Sequence, residues 1–586
     1  MQVVIIAILI FLAITNSAAA FETEKKIKAV AVTSGEEPKG VAINITVLIN
    51  PGNGRVFVST SPFTEIDMQG SAQFSAITAC DLLGIEFTKF DFFYIIEADA
   101  PIVGGPSAGA VMTVATIAAL KGLNLDEKVY MSGMIYPDGF IGPVGGLNYK
   151  LEAVAKNGGK IFLIPSGQSV ILVEEKTVRK VGILNVVTTE VKELNLVEYG
   201  KKLGVDVIEV KTINDALRYY TGYWISKPEK SVNITIYSKF LKLLADKMKE
   251  SISELQGYTT KETKELLSKA EEDYNSGNYY TATSKYFQAK ILMRYEMFKK
   301  TLISTQQVEN EMKKVESEIS ELKEYLKKEQ LGVNSIQIIA GAQERVAETE
   351  NAIKKAKNSR TVEDLLYNLA YAKERLESAK VWLSILPEVE NDYDLDVSEI
   401  KKRAEFYINQ GNSMLVYASS LGGYEEMIEN AIESLEIAKN LYSETLYAGA
   451  VFEALNAITD ASLSIEAKYE DISAKVEERK KSAEIAIGEA EEVGYPILPI
   501  AYFEFAETSK NVYAKLLYYS LSERIAKFML NIAKIKGERE LVHTGYEITT
   551  PALPEAKGSL KRILQIPGFE IAIALFALAA VYAIRR

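Results

Sequence analysis

The sequence predicts an N-terminal α/β domain, then a mostly α-helical bundle with a short coiled coil, and a C-terminal transmembrane helix. Three observations predict it. From about residue 29 to 223, short apolar runs with strand character alternate with Ala-rich stretches of helical spacing. From about 235 to 545 the chain is rich in Ala, Glu, Lys, Leu and Tyr, nearly free of Pro, and periodic at helical spacing. Residues 569–584 are almost wholly apolar. A chain of 586 residues exceeds what one hydrophobic core serves. The expected divisions are 1–20 for a signal peptide, 26–225 for the α/β domain, 230–545 for the helical domain, 546–566 for a linker, and 567–586 for the tail.

Residues 1–20, MQVVIIAILIFLAITNSAAA, read as a secretory signal: an apolar run leads to Ala18 and Ala20 in a small-x-small pattern before polar FETEKK. An uncleaved anchor is the alternative, and either one exports the domain that follows. AINITVLI and RVFVST are alternating runs joined by Pro51, Gly52, Asn53 and Gly54, a hairpin signature. SAQFSAITACDLLGI has helical spacing and carries Cys80, expected to be a small buried apolar residue. FFYIIEA suits a buried strand. Gly104, Gly105 and Pro106 break it, so Ser107 should sit where the next helix begins.

A short segment around YMSGMIY follows, then a helix start around Lys150 and the strand KIFLIP. VILVEEKTVRKVGILNVVTTEVKELN reads as a surface excursion, with a substrate-gating insertion as the sharper alternative. In the helical part Val308, Met312, Val315, Ile319, Leu322 and Leu326 step by four and three, a coiled-coil-like seam expected to pair with a helix through Val346 and Ile353. Segments such as YNSGNYYTATSKYFQAK mix small residues with tyrosines, and this one faintly resembles a single tetratricopeptide unit. No clean repeat period emerges, so an irregular bundle or short solenoid is expected, its tyrosines serving as core. The apolar stretch 569–584 is slightly shorter than a ~20-residue span, and Arg585 and Arg586 extend it by snorkelling. Terminal arginines inside place the bulk of the protein outside the cell.

Composition narrows the chemistry. A net charge of −12 with no basic cluster argues against nucleic acid as a partner. One cysteine and one histidine exclude an internal disulfide and argue against a zinc peptidase, and neither cofactor nor metal is expected. Ser107, on a tight turn at a helix start, is placed where unpaired backbone N–H groups and the helix dipole would stabilise an oxyanion. Gly105, Pro106 and Gly109 are the expected turn and oxyanion residues. The single histidine, His543, stands at the far end of the chain, so a lysine base is the economical reading. Lys150 is the candidate, with Val144, Leu147 and Leu151 supplying the burial that brings its pKa toward the working range.

GGPSAG followed by the lysine of PVGGLNYK resembles the proteolytic domain of Lon, the Ser-Lys dyad peptidases. The likeness runs back through IDMQGSAQFSAITACDLLGIE and forward through GGKIFLIPSG and VDVIEVKTINDALRYY, covering roughly residues 26 to 222. It implies Ser107 as nucleophile, Lys150 as general base, and Ser132 of MSGM as the hydroxyl that holds the lysine amine. It also implies peptide or unfolded-protein substrates and, by family habit, a homo-oligomeric ring of six. Three positions depart from the family pattern: Gly104 and Met134 stand where acids are usual, and Asn148 where a lysine is. Gly104 and Met134 favour the alternative, a catalytically inactive scaffold whose helical domain binds cell-envelope partners.

Pro567-Gly568-Phe569 ahead of the apolar stretch and the terminal Arg pair resembles the PGF-type sorting signal of archaeal surface proteins, with a plain transmembrane anchor as the simpler reading. No GxxxxGK[ST] phosphate loop occurs, so the expected enzyme is an ATP-independent serine endopeptidase held in the cell membrane by a single C-terminal anchor. The helical region would replace the ATPase of Lon as spacer, lid or substrate collector.

Overall fold

The computed structural model describes residues 23–33, 38–64, 66–103, 105–181, 184–226, 237–389, 392, 394–469 and 472–543. The expected signal segment, the linker region and the apolar tail lie outside these residues, as does Gly104. Among the described residues no helix is long and apolar enough to cross a membrane.

Strands β1 (Thr23–Val32), β2 (Gly40–Pro51), β3 (Val56–Thr64) and β4 (Phe90–Val103) form one sheet in the order β1-β2-β4-β3. The expected β2–β3 hairpin does not form. The two strands do reverse direction through Pro51–Gly54, but β4 lies between them, antiparallel to β2 and parallel to β3. The turn is held by the start of β4: Asp91 Oδ1 accepts from the N–H groups of Asn53 and Arg55, and Gly52 and Gly54 donate to the carbonyls of Lys89 and Phe90. β4 itself alternates. Phe92, Tyr94 and Ile96 are buried on one face, while Phe57 and Phe93 stack at 4.7 Å on the other. Its apolar run thus fills two faces of unequal burial.

Helix α1 (Ile66–Leu83) and helix α2 (Gly109–Lys121) pack on the buried face of that sheet. Cys80 is fully buried in α1, as its neighbours predict. Short strands β5 (Val129–Met131), β6 (Met134–Ile135) and β7 (Ile141–Gly142) lead to α3 (Leu147–Lys156). β8 (Ile161–Pro165) pairs in parallel with β5 and with β11 (Asp206–Val210), making a three-stranded sheet. The stretch between β8 and β11 is a two-stranded antiparallel ribbon, β9 (Val170–Val181) and β10 (Leu184–Asn195), then α4 (Leu196–Leu203). α5 (Ile213–Thr221), opened by a capping box between Thr212 and Asp215, closes the α/β part.

The helical region comprises α6 (Ser238–Glu250), α7 (Lys261–Asn275), α8 (Tyr279–Thr301), α9 (Thr305–Leu326), α10 (Ser335–Lys357) and α11 (Val362–Leu383). It continues with α12 (Val397–Ser420), α13 (Glu425–Ser443), α14 (Tyr447–Tyr469), α15 (Val476–Ala490), α16 (Ile497–Thr508) and α17 (Val512–His543). α7 and α8 meet at Gly277, whose φ of 85° suits glycine. The seam of α9 does turn inward, with Val308, Val315, Ile319 and Leu326 buried. It faces two helices instead of one: Lys323 of α9 pairs with Glu350 of α10, and Glu318 of α9 with Lys373 and Lys380 of α11. The tyrosines behave as core; Tyr286, Tyr417 and Tyr519 are almost fully buried.

The compact unit that ends at Gly537 holds both parts. They share a core: Met414, Tyr417, Ala418, Ala431, Ala461 and Ile465 from the helices join the α/β cluster around α1, α2 and the first sheet. Ion pairs Arg403–Glu86 at 2.6 Å and Lys211–Glu478 at 2.5 Å, and the pair Arg479–Asp138, cross the same boundary.

Candidate active site

Ser107 occupies a single 3-10 turn, Pro106–Ala108, immediately before α2 begins at Gly109. The expected helix start is therefore displaced by two residues. Gly105 enters the turn with φ 90°, a conformation that costs a side-chain-bearing residue strain, and its N–H donates to Asp67 Oδ2 at 3.0 Å. Pro106 has no N–H, and the Gly109 N–H returns to the Pro106 carbonyl. These three residues shape the turn, and the N–H groups of Gly105 and Gly109 are both engaged. Gly109 has a second reason to be glycine: an added Cβ would lie 2.6 Å from Ile135 Cγ2 and 3.1 Å from the Ile135 nitrogen. The helix start thus lies directly against β6.

That approach brings the two motifs together. The Gly133 N–H donates to the Ser107 carbonyl at 2.9 Å, and the Ala110 N–H donates to the Gly133 carbonyl at 3.1 Å. Residues 132–133 therefore run alongside the Ser107 turn as a short backbone ladder. Ser132, 0% exposed, is fixed from the other side by its N–H to the Leu163 carbonyl of β8.

Lys150 enters from the first turn of α3 and is 4% exposed. Its Nζ donates to Ser132 Oγ at 3.1 Å. Among the described residues no ion pair reaches it and no hydrogen bond joins it to Ser107 Oγ. Leu147 and Leu151 on the same helix are buried, with Val144 packed beside them. Desolvation holds the amine well below its ordinary range, at about 8. A buried lysine without a carboxylate partner that titrates near 8 is partly neutral around that pH, and the neutral form can accept a proton.

Sequence reasoning missed the residues that hold the turn. Asp67, Ser71 and Ser75 line one side of α1. Ser71 Oγ donates to the Pro106 carbonyl at 3.3 Å, and Ser75 Oγ to the Gly109 carbonyl at 2.8 Å. The signal was present: two serines four apart inside an otherwise apolar helix need buried acceptors.

Comparison with known proteins decides the likeness. Residues 19–194 match the Lon protease (S16) C-terminal proteolytic domain. Residues 566–586 match the PGF-CTERM motif. Relatives include the Lon protease of Azospirillum brasilense, 28% identical over 198 residues that make up 32% of this chain and 22% of that protein. The Lon protease of Rhizobium meliloti (strain 1021) is 30% identical over 25% of this chain and 18% of its own length. Lon protease 2 of Syntrophobacter fumaroxidans is 32% identical over 22% of this chain and 16% of its own length. The chain therefore spans about a fifth of the curated relatives it matches. The family match ends at residue 194, ahead of the helical region.

Proposed function

We propose that this protein is an extracytoplasmic, membrane-anchored, ATP-independent serine endopeptidase acting on peptides or unfolded protein segments. The reading rests on one observation above the others: a buried, unpaired lysine amine, hydrogen-bonded to a hydroxyl whose neighbouring residue is laddered to the backbone of Ser107. Ser107 Oγ attacks the scissile carbonyl as Lys150 Nζ takes its proton, and Ser132 keeps the amine aimed. The positive end of α2, which begins two residues beyond Ser107, contributes its dipole to stabilising the developing oxyanion. The protonated amine then gives its proton to the leaving amine, and water attacks the acyl-enzyme after Lys150 removes a proton from it. The PGF-CTERM match supports an anchored surface protein, and the absence of a phosphate loop from the sequence supports ATP independence.

A second reading, a Lon-like scaffold without catalysis, is favoured by the lack of a Lys150–Ser107 hydrogen bond and by Met134 at a position where the family has an acid. Catalytic hydrogen bonds commonly tighten only with substrate present, which keeps the enzyme reading ahead. Incubation with a serine-directed fluorophosphonate separates the two. Covalent modification of Ser107 in the wild type, lost in Ser107→Ala and in Lys150→Met, is expected of the peptidase. Equal modification of all three proteins, or of none, leaves the scaffold.

A further inference from the structure

The helical region touches the Lon-like domain at two places that lead directly to Ser107. At the first, Tyr417 of α12, 1% exposed, lies with its hydroxyl 3.5 Å from Ser71 Oγ, the same atom that binds the Pro106 carbonyl. Its ring seats on Gly70, where an added Cβ would come within 2.7 Å of Cδ2, and packs against Phe74 at 5.4 Å. The contact is therefore too close for any side chain but hydrogen at position 70. One hydroxyl from the helical region thus stands one side chain away from the turn that carries the nucleophile.

At the second, Arg479 of α15, 2% exposed, pairs with Asp138 in the loop between β6 and β7. The guanidinium also pairs with Glu466 of α14 at 2.8 Å and lies over the Phe140 ring at 5.3 Å. Asp138 in turn accepts from the Phe140 N–H at 3.2 Å. This loop is short and closed on itself, the Tyr136 N–H donating to the Phe140 carbonyl at 3.1 Å. Its flanks are the two strands against which the glycines of the site are packed: Ile135 on Gly109, and Ile141 2.3 Å from where a Cβ of Gly133 would be. A shift of the loop moves residue 133, hence the ladder to Ser107 and the hydroxyl at 132 that holds Lys150.

We propose that the helical region positions the acyl-transfer site of the Lon-like domain through these two pins, Tyr417 on the Ser71–Pro106 contact and Arg479 on the Asp138 loop. It is a built-in brace for the nucleophile turn and for the Ser132–Gly133 segment. Tyr417, Asp138 and Arg479 are positioning residues; none of them touches Ser107 or Lys150. The inference rests on the peptidase reading for its consequence in rate, but the brace itself is a statement about order in residues 105–111 and 132–142.

The test uses the full chain and two conservative variants, Tyr417→Phe and Asp138→Asn, singly and together. Amide hydrogen exchange is read by peptide, and fluorophosphonate modification of Ser107 is timed in parallel. The expected result is faster exchange in 105–111 for Tyr417→Phe and in 132–142 for Asp138→Asn, with α10 and α11 unchanged. The modification rate should fall roughly tenfold in the double variant, with its pH midpoint unmoved, because a displaced nucleophile reacts slowly while the lysine stays buried. On a peptide ester, kcat should fall and KM stay. Unchanged exchange in both segments overturns the brace, as does faster exchange spread evenly over the whole chain. A wild-type protein that the fluorophosphonate never modifies overturns the peptidase reading alone, and exchange still decides the brace.

Discussion

Lys150 is the general base of the proposed mechanism, and burial is what would make it usable. Its amine titrates at about 8 in the folded protein, against ~10.4 in an unfolded chain. Below pH 8 both states hold the proton, and the folded state bears the cost of a buried charge. Between pH 8 and ~10.4 the unfolded chain binds more protons, so stability rises with pH; above that window it levels off. Lys150→Met should therefore stabilise the protein at pH 6 to 7 by about 1–3 kcal/mol and abolish that rise, as measured by urea unfolding across pH. A methionine variant that is less stable than the wild type at pH 6 would show that the amine is better solvated than its surroundings imply. Ser107, Ser132 and Lys150 were all legible in the sequence because each stands in a short glycine-bounded motif. Asp67, Ser71 and Asp138 were not, because their partners come from the fold and lie far away along the chain.

At the level of elements, the turn Pro51–Gly54 shows what local signals convey. The glycines and proline dictated a chain reversal, and there is one. They did not say which strand would pair, and Asp91 draws β4 into the gap. The seam of α9 is similar: its spacing announced a buried stripe, but stripe geometry fits one partner helix or a groove between two. Helices α8 and α11 are joined by a buried charge set that sequence reading did not find. Glu374 of α11 pairs with Lys290 of α8 at 2.8 Å and with Arg294 of α8 at 2.6 Å, all with little or no exposure. Glu374→Gln leaves two cations against a neutral amide, and should cost about 3–5 kcal/mol in chemical denaturation. Replacing Lys290, Arg294 and Glu374 together with Met, Met and Leu should recover most of that loss; a triple variant as unstable as the single would mean that the charge set is not what the site depends on.

For the molecule as a whole, the change in composition near Lys227-Pro228 falls between α5, which ends at Thr221, and α6, which begins at Ser238. That the two parts share one core was not legible, because helical periodicity reveals that a face is buried and says nothing of what buries it. With Tyr417, Ala461 and Ile465 inside the cluster built by α1 and α2, the α/β part loses a wall of its core if the helices unfold. Calorimetry of the full chain should show one cooperative transition covering both, with tryptophan fluorescence and far-ultraviolet dichroism changing together. Two separated transitions would mean that the shared cluster is a weak contact between independent domains. The same coupling makes the helical region unlike a detachable spacer: it is packed onto α1 through Tyr417 and onto the β6–β7 loop through Arg479.

The most direct measurement is the rate of fluorophosphonate modification at Ser107 as a function of pH, in the wild type and in Lys150→Met. The account predicts a rate that rises with pH through a midpoint near 8 and a methionine variant that is nearly inert at every pH. Modification of the methionine variant at the wild-type rate, with the same pH dependence, would contradict it.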